Sequence, residues 1–282
     1  MDDVYVVYVP FDKLPKEMLL LILSFIPKNK LYQVNVNRQF YDAILDILGP
    51  IVLKNENTLI TCEKIRHTIE LKALARALEK NKTLKIIDFC GQSLEYKGFN
   101  IFAKALKLNK TLLTICLSSN YIGDDGAIVL AQVLEQNTSL KTTRLNHNNI
   151  GCIGTRALME AITKNQTLEA MSLLGNYIKS DGAKAIAEAL KKNIKLKTLD
   201  IRWNKIFIDD GILILKALTT NTEMTTIYIE ICNIHITEIE TICNLLKINT
   251  TITNFELSAL NLYQHKETIS KLINDALLNK IN

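Results

Sequence analysis

One stretch of 28 residues constrains the fold more than any other feature: LEAMSLLGNYIKSDGAKAIAEALKKNIK, from Leu168 to Lys195. Its first half alternates apolar residues at Met171 and Leu173, as one face of a short strand does. Its second half spaces them by four at Gly182, Ile186 and Leu190, as one face of a helix does. Asn193 stands where that helix should end. The unit recurs without insertion or deletion, beginning at Leu84, Leu112, Leu140, Leu168, Leu196, Met224 and Ile252. The equivalent strand pairs are Ile87/Phe89, Ile115/Leu117, Thr143/Leu145, Leu199/Ile201, Ile227/Ile229 and Phe255/Leu257. One asparagine recurs after the strand, at Asn120, Asn148, Asn176 and Asn204. A second recurs at the helix end, at Asn81, Asn109, Asn137, Asn165, Asn221 and Asn249. An earlier frame from Glu56 fits only in its helix, through Leu74 and Leu78. A lone strand–helix unit cannot bury its apolar face, so a fixed period of this kind predicts stacked units sharing one core.

The pattern LxxLxLxxNxI followed by a helix resembles the ribonuclease-inhibitor type of leucine-rich repeat. The resemblance implies an α/β horseshoe solenoid, with parallel strands inside the arc and helices outside. The recurring asparagines should bond main-chain groups in the loop after each strand, rung by rung. Gly126, Gly154 and Gly182 sit where a helix enters and little room is left; Asp210 and then Glu238 take that place in the next two units. Cys232 and Leu260 replace the asparagine in the last two units, so the repeat decays toward its C-terminal end.

Strand residues between the core positions should face the inside of the arc. The central row is Asp88, Cys116, Arg144, Ser172, Asp200, Tyr228 and Glu256. The row beside it is Cys90, Ser118, Asn146, Leu174, Arg202, Glu230 and Ser258, and just past the strands come Tyr121, His147, Tyr177 and Trp203. The middle of this surface gathers Arg144, Leu174, Tyr177, Arg202, Trp203 and Tyr228. Trp, Tyr and Arg carry most of the energy of protein interfaces, so these six are the candidate partner-binding residues of the concave face. Acidic residues on both sides point to a partner surface of mixed charge.

All four prolines, Pro10, Pro15, Pro27 and Pro50, precede the repeats. The shift marks a boundary at Gly49–Pro50. The expected organisation is an N-terminal arm over 1–9, a small helical domain over 10–50, a degenerate first repeat or cap over 51–83, and regular repeats over 84–282. In the helical domain, Pro15 suits a helix start, and Met18, Leu19, Ile22, Leu23 and Ile26 form an apolar stripe that Pro27 ends. Two further short helical stretches follow, through Leu31, Val34 and Val36 and through Phe40, Tyr41, Ile44 and Leu45. Three short helices in so few residues need a neighbour or partner to bury their apolar surface.

Leu14, Pro15, Glu17, Ile22, Leu23, Pro27, Leu31, Val34, Arg38, Phe40 and Tyr41 stand at the places of an F-box pattern, and the segment resembles that family. It departs from the pattern in having Asn35 and Asn37 around Val36 and no tryptophan near Gly49–Ile51. The resemblance implies a Skp-family adaptor as partner, and through it a cullin–RING ubiquitin ligase. Leu14 and Pro15 would then enter the adaptor's groove, with Ile22, Leu23, Leu31 and Val34 supplying apolar contact. The repeats would hold a protein substrate, and the chain itself would catalyse nothing. The alternatives are a repeat-based binding or inhibitor module that the N-terminal helices merely cap, and a small-GTPase regulator. The last would want an acidic tail that is not seen.

The remaining features exclude more than they assign. The net charge of +5 is spread as Lys without a dense run, which argues against a nucleic-acid partner. No apolar run approaches the ~20 residues of a membrane span. MDDVYVVYVP lacks the basic start of a secretory signal. The six cysteines have no CxxC spacing and read as reduced thiols of a cytosolic or nuclear protein; Cys62 and Cys90 share an offset of 28 and could approach each other. Asn81, Asn109, Asn137, Asn165 and Asn249 begin N-x-S/T triplets, which the repeat itself accounts for. The four histidines fall at unrelated offsets, and no phosphate loop, HExxH or paired-Cys metal pattern is present. The expectation is therefore a non-enzyme without cofactor or metal, monomeric outside its complex. The richness in Asn, Ile and Lys suits an AT-rich genome, either of a eukaryote or of a bacterium that delivers the protein into a host cytosol.

Overall fold

The computed structural model describes residues 59–61, 71–72, 75–76, 78–79, 81–82, 84–192 and 195–280. The arm over 1–9, the helical domain over 10–50 with Leu14, Pro15, Ile22, Leu23, Leu31 and Val34, and most of 51–83 lie outside the described residues.

Each repeat forms the strand and helix that its spacing predicts. Eight parallel strands make one sheet in sequence order: β1 Leu59–Thr61, β2 Ile86–Asp88, β3 Thr114–Cys116, β4 Thr142–Arg144, β5 Ala170–Ser172, β6 Thr198–Asp200, β7 Thr226–Glu230 and β8 Asn254–Ser258. The helices after β2 are α1 Glu95–Leu108, α2 Gly123–Leu134, α3 Cys152–Lys164, α4 Lys179–Leu190, α5 Ile208–Leu218, α6 Ile236–Ile248 and α7 Lys266–Leu278. A short 3₁₀ segment, Leu260–His265, precedes α7. Strands need about 4.8 Å per rung and helices 8–10 Å, so a sheet backed by helices on one face must curve with the strands inside.

From β2 onward every pairing is offset by 28 residues, as in Ile87↔Ile115 and Met171↔Leu199. The first pairing differs: Thr61 lies opposite Asp88, an offset of 27. The shared offset expected for Cys62 and Cys90 therefore does not hold in the neighbouring register, and Cys62 itself lies outside the described residues.

The core runs unbroken through the stack. Ile87, Ile115, Met171, Leu199 and Ile227 turn from the strands toward the helices and are buried. Phe89 and Phe102 meet edge to face at 4.8 Å between ring centroids in the first regular rung. Thr143 takes the same inward position in β4, and its buried hydroxyl has no hydrogen-bond partner among the described residues. At the C-terminal end α7 contributes Ile269, Ile273 and Ala276 to the same core.

Two asparagine ladders join the rungs. In the first, Asn120, Asn148, Asn176 and Asn204 are buried after the strands. Asn148 Nδ2 donates to Leu117 O of the preceding rung at 2.8 Å, while its Oδ1 accepts the Asn120 N–H at 3.1 Å. The second ladder lies at the helix ends. Asn109, Asn137, Asn165, Asn221 and Asn249 each donate Nδ2 to a carbonyl 31 residues earlier, at 2.5–2.8 Å. The same side chains accept main-chain N–H groups two and three residues later, as Asn165 does from Thr167 at 2.9 Å and Leu168 at 2.7 Å. Thr111 and Thr251 add hydroxyl bonds to the carbonyl of Asn81 and of Asn221. The N-x-S/T triplets are thus the signature of this turn, and the buried amides of Asn109, Asn137, Asn165 and Asn249 leave no room for a glycan in the folded chain.

The glycine at the helix entrance has a definite reason at Gly154. Asp124 Oδ1, from the rung before, accepts the N–H groups of Gly151 at 2.6 Å and Gly154 at 2.9 Å and so caps α3. A Cβ on Gly154 would lie 2.7 Å from that oxygen and 2.8 Å from Ala127 Cβ. The decay expected at the C-terminal end is real but partly compensated: Asn261, one residue past Leu260, donates to Ile234 O at 2.6 Å.

Candidate functional site

The strand positions between core residues open on the face opposite the helices, and their exposure is uneven. Asp88, Ser172, Asp200 and Tyr228 are half-buried, Arg144 and Glu256 are exposed, and Cys116 is buried. Arg144 makes no ion pair among the described residues. Leu174 is half-buried. Asn146 and Ser172, from neighbouring rungs, share a hydrogen bond of 2.5 Å.

Arg202 organises one end of the six-residue set. Its guanidinium binds Asp200 through Nε at 3.0 Å and Nη2 at 2.8 Å, and Nη1 reaches Glu256 at 2.9 Å, two rungs away. It crosses the Tyr228 ring at 4.9 Å from the centroid on the way. The Asp200 hydrogen bonds, with the charges of Asp200 and Glu256, hold the proton on Arg202 more firmly than usual despite partial burial. Arg202 and Tyr228 therefore form a fixed platform. Three of its five N–H donors serve the chain's own carboxylates, and the face away from Tyr228 is left for a partner.

Beside the platform stands an aromatic ridge. Trp203 is 59% exposed, Tyr177 46% and Tyr121 61%. Ser119, His147, Gly175 and Trp203 occupy one offset in successive rungs, and all four have positive φ. A Cβ on Gly175 would lie 2.3 Å from His147 Nδ1, so the missing side chain lets His147 lean into its rung. His147 and Trp203, two rungs apart, then come within 6.0 Å between ring centroids. Lys205 Nζ lies 6.0 Å from the Tyr177 centroid. The structure thus joins Arg202 to Tyr228 and sets Trp203 and Tyr177 along the adjoining edge. Leu174 shares the rung of Tyr177, and Arg144 stands in the rung before.

Glu230 is the residue whose place sequence reasoning misjudged. Expected as one of the acidic groups flanking an open face, it is only 6% exposed. The main-chain N–H of Trp203 lies near enough to favour the charged form of Glu230, and Oε2 has no hydrogen-bond partner among the described residues. Trp203, whose N–H acts on this carboxyl, stands in the left-handed region at φ 59°. The offset of Glu230 matches Arg202, Leu174 and Asn146, which are half-buried, so the repeat pattern does not mark it as buried.

Burial pushes the Glu230 carboxyl above the usual carboxylate value, and the Trp203 N–H opposes this. A folded pKa above the unfolded one means that the folded chain holds the proton more tightly. Stability is then highest below the unfolded pKa, falls as pH rises through the raised folded value, and is flat above it. Glu230→Gln keeps the acceptor and removes the charge. It should raise the melting temperature at neutral pH and erase this component of its pH dependence. A variant with the parent's acid profile would show that Glu230 does not titrate this way.

A Leucine Rich repeat pattern matches residues 108–131 and 192–213. No curated protein matches the sequence. Among solved structures, the chain is similar to the leucine-rich repeat-containing protein LegL7 from Legionella pneumophila, at 15% identity over 86% of this chain and 78% of that one, with a TM-score of 0.52. It is also similar to a chain of the Rad7–Elc1 complex from yeast, at 17% identity over 85% of this chain and 58% of that one, with a TM-score of 0.49. A tropomodulin C-terminal domain from Caenorhabditis elegans aligns at 16% identity over 55% of this chain and 92% of that one, with a TM-score of 0.44. The LegL7 likeness supports the fold alone. The described residues form a leucine-rich-repeat-like solenoid, and no described helix is long and apolar enough to cross a membrane.

Proposed function

We propose that this chain is the substrate receptor of a cullin–RING ubiquitin ligase. The segment Leu14–Tyr41 binds a Skp-family adaptor, and the concave face of the repeats holds a protein substrate. The chain makes and breaks no bond itself and acts in the cytosol or nucleus of a eukaryotic cell, as a native protein or as one delivered by a bacterium. The ligase half of the proposal rests on the F-box-like residues Leu14, Pro15, Ile22, Leu23, Leu31 and Val34. The receptor half rests on one observation: large exposed aromatics gather on a single edge, beside a platform whose charges are already paired. Such an edge gives up little solvation and little side-chain freedom on binding.

A reconstituted ligase tests both halves. With adaptor, cullin and RING subunits present, the chain should direct ubiquitin onto proteins it retains from an extract. Trp203→Ala should lower partner affinity about thirtyfold, the ~2 kcal/mol of an aromatic anchor, and remove the modified products while adaptor stays bound. Transfer that survives Trp203→Ala combined with Tyr177→Ala would move the substrate site off this edge. Partner retention without ubiquitin transfer would favour a binding module that works without a ligase.

A further inference from the structure

Asp88, Cys90 and Cys116 meet at the N-terminal end of the concave face, and one donor atom of each lies within 4.8 Å of the other two. The parallel register makes this meeting. Asp88 on β2 is paired with Cys116 on β3, and Cys90 follows Asp88 by two residues. Asp88 Oδ1 accepts the Cys90 N–H at 2.8 Å, which fixes the carboxylate beside the thiol. Cys116 Sγ, in turn, donates to Ser118 Oγ at 3.5 Å. Both cysteines are free thiols, Cys116 buried and Cys90 exposed, with Asp88 half-buried between them. Among the described residues no other pair of neighbouring rungs brings two sulfurs together on this face: from β4 on, the matching positions carry Arg144 with Asn146, Ser172 with Leu174, Asp200 with Arg202, Tyr228 with Glu230, and Glu256 with Ser258.

Ligands of one zinc ion stand about 2.0–2.3 Å from the metal, and so some 3–4 Å from one another in a tetrahedron. The three donors need only small side-chain rotations to reach that spacing. Two thiolates with one carboxylate select a borderline ion such as Zn²⁺ over Mg²⁺ or Ca²⁺, which prefer shells of oxygen. We propose that Asp88, Cys90 and Cys116 bind a zinc-class divalent cation across rungs β2 and β3, leaving a fourth position toward the concave groove. Binding is a ligation without redox change: each thiol gives its proton to solvent, so two protons leave per ion, and both sulfur–metal bonds form from the thiolates. The ion clamps the first regular rung to the second, next to the pairing whose register departs from the repeat. Its fourth position is filled by water or by an oxygen or nitrogen of whatever occupies the groove. The site does not depend on the ligase reading.

Cobalt(II) is the probe, because thiolate coordination gives it a near-ultraviolet charge-transfer band and a tetrahedral shell gives it visible bands. Titrating the reduced full chain with Co²⁺ should develop both at one equivalent, and Zn²⁺ should displace them. Cys90→Ser and Cys116→Ser, confirmed as folded by circular dichroism, should each abolish the full spectrum. Asp88→Asn should weaken binding at least tenfold, the lower end of what even supporting groups around a metal contribute. Cys152→Ser, remote from the cluster, should change nothing. A reduced chain that shows no thiolate band, or one whose band survives Cys116→Ser or vanishes with Cys152→Ser, overturns the assignment.

Discussion

Replacing Asn176 by alanine should cost the fold ~4 kcal/mol or more, although it removes no apolar contact. Nδ2 donates to Leu145 O at 2.9 Å and Leu173 O at 2.8 Å, and Oδ1 accepts the N–H groups of Asn148 and Ile150, both at 3.0 Å. Asn176 is buried, as are the residues carrying those four main-chain groups. Leu173 O keeps its bond from Asn204 Nδ2 at 2.9 Å, but each of the other three buried groups left unpaired costs roughly 1–3 kcal/mol, and an entering water could satisfy only part of the set. The lost bonds run between rungs, and a solenoid is held by nearest-neighbour coupling. The variant should therefore show a lower urea midpoint and a broader transition, as the halves on either side of β4 and β5 begin to unfold separately. Gln136→Ala, on an exposed side chain, is the control and should stay within about 0.5 kcal/mol. An Asn176→Ala midpoint as close to the parent's would mean that the ladder is a consequence of stacking and contributes little to it.

The period of 28 made the solenoid legible because spacing sets both which residues face the core and which residues meet across rungs. Asn120, Asn148, Asn176 and Asn204 were readable for that reason. The helix-end asparagines were readable only as stops. Their bonds to carbonyls 31 residues earlier depend on how closely the turns nest, and a repeat pattern does not carry that distance. The concave rows were also readable as rows, but their exposure was not. Arg202 falls on a row expected to face a partner, and the structure turns its donors to Asp200 and Glu256. Glu230 falls on the same row and is buried. The proximity of His147 to Trp203 follows from what Gly175 lacks. Asp88, Cys90 and Cys116 illustrate the same limit: their 2- and 26-residue separations match no local ligand motif, and only the strand register unites them.

The second large effect concerns Leu14 and Pro15. If the segment resembling an F-box docks as that family does, both side chains leave water for an apolar groove on the adaptor, and Pro15 also presets the helix start that presents Leu14. Truncating both to alanine removes buried apolar area worth several kcal/mol, on the order of a hundredfold in affinity or more. Leu14 and Pro15 precede the repeats in the sequence, and on this reading the same variant should keep the circular dichroism and melting behaviour of the solenoid. Substitutions on the concave face, Trp203→Ala among them, should conversely leave adaptor affinity unchanged. That separation distinguishes a receptor with two independent surfaces from a repeat domain that the N-terminal helices only cap.

The most direct measurement is the equilibrium affinity of the purified full-length chain for a purified Skp-family adaptor, by calorimetry, beside the Leu14→Ala/Pro15→Ala variant. The ligase-receptor reading predicts a saturable one-to-one complex for the native chain and a loss of about a hundredfold or more for the variant. A folded native chain that gives no binding heat, or a variant that binds as tightly as the parent, would contradict it.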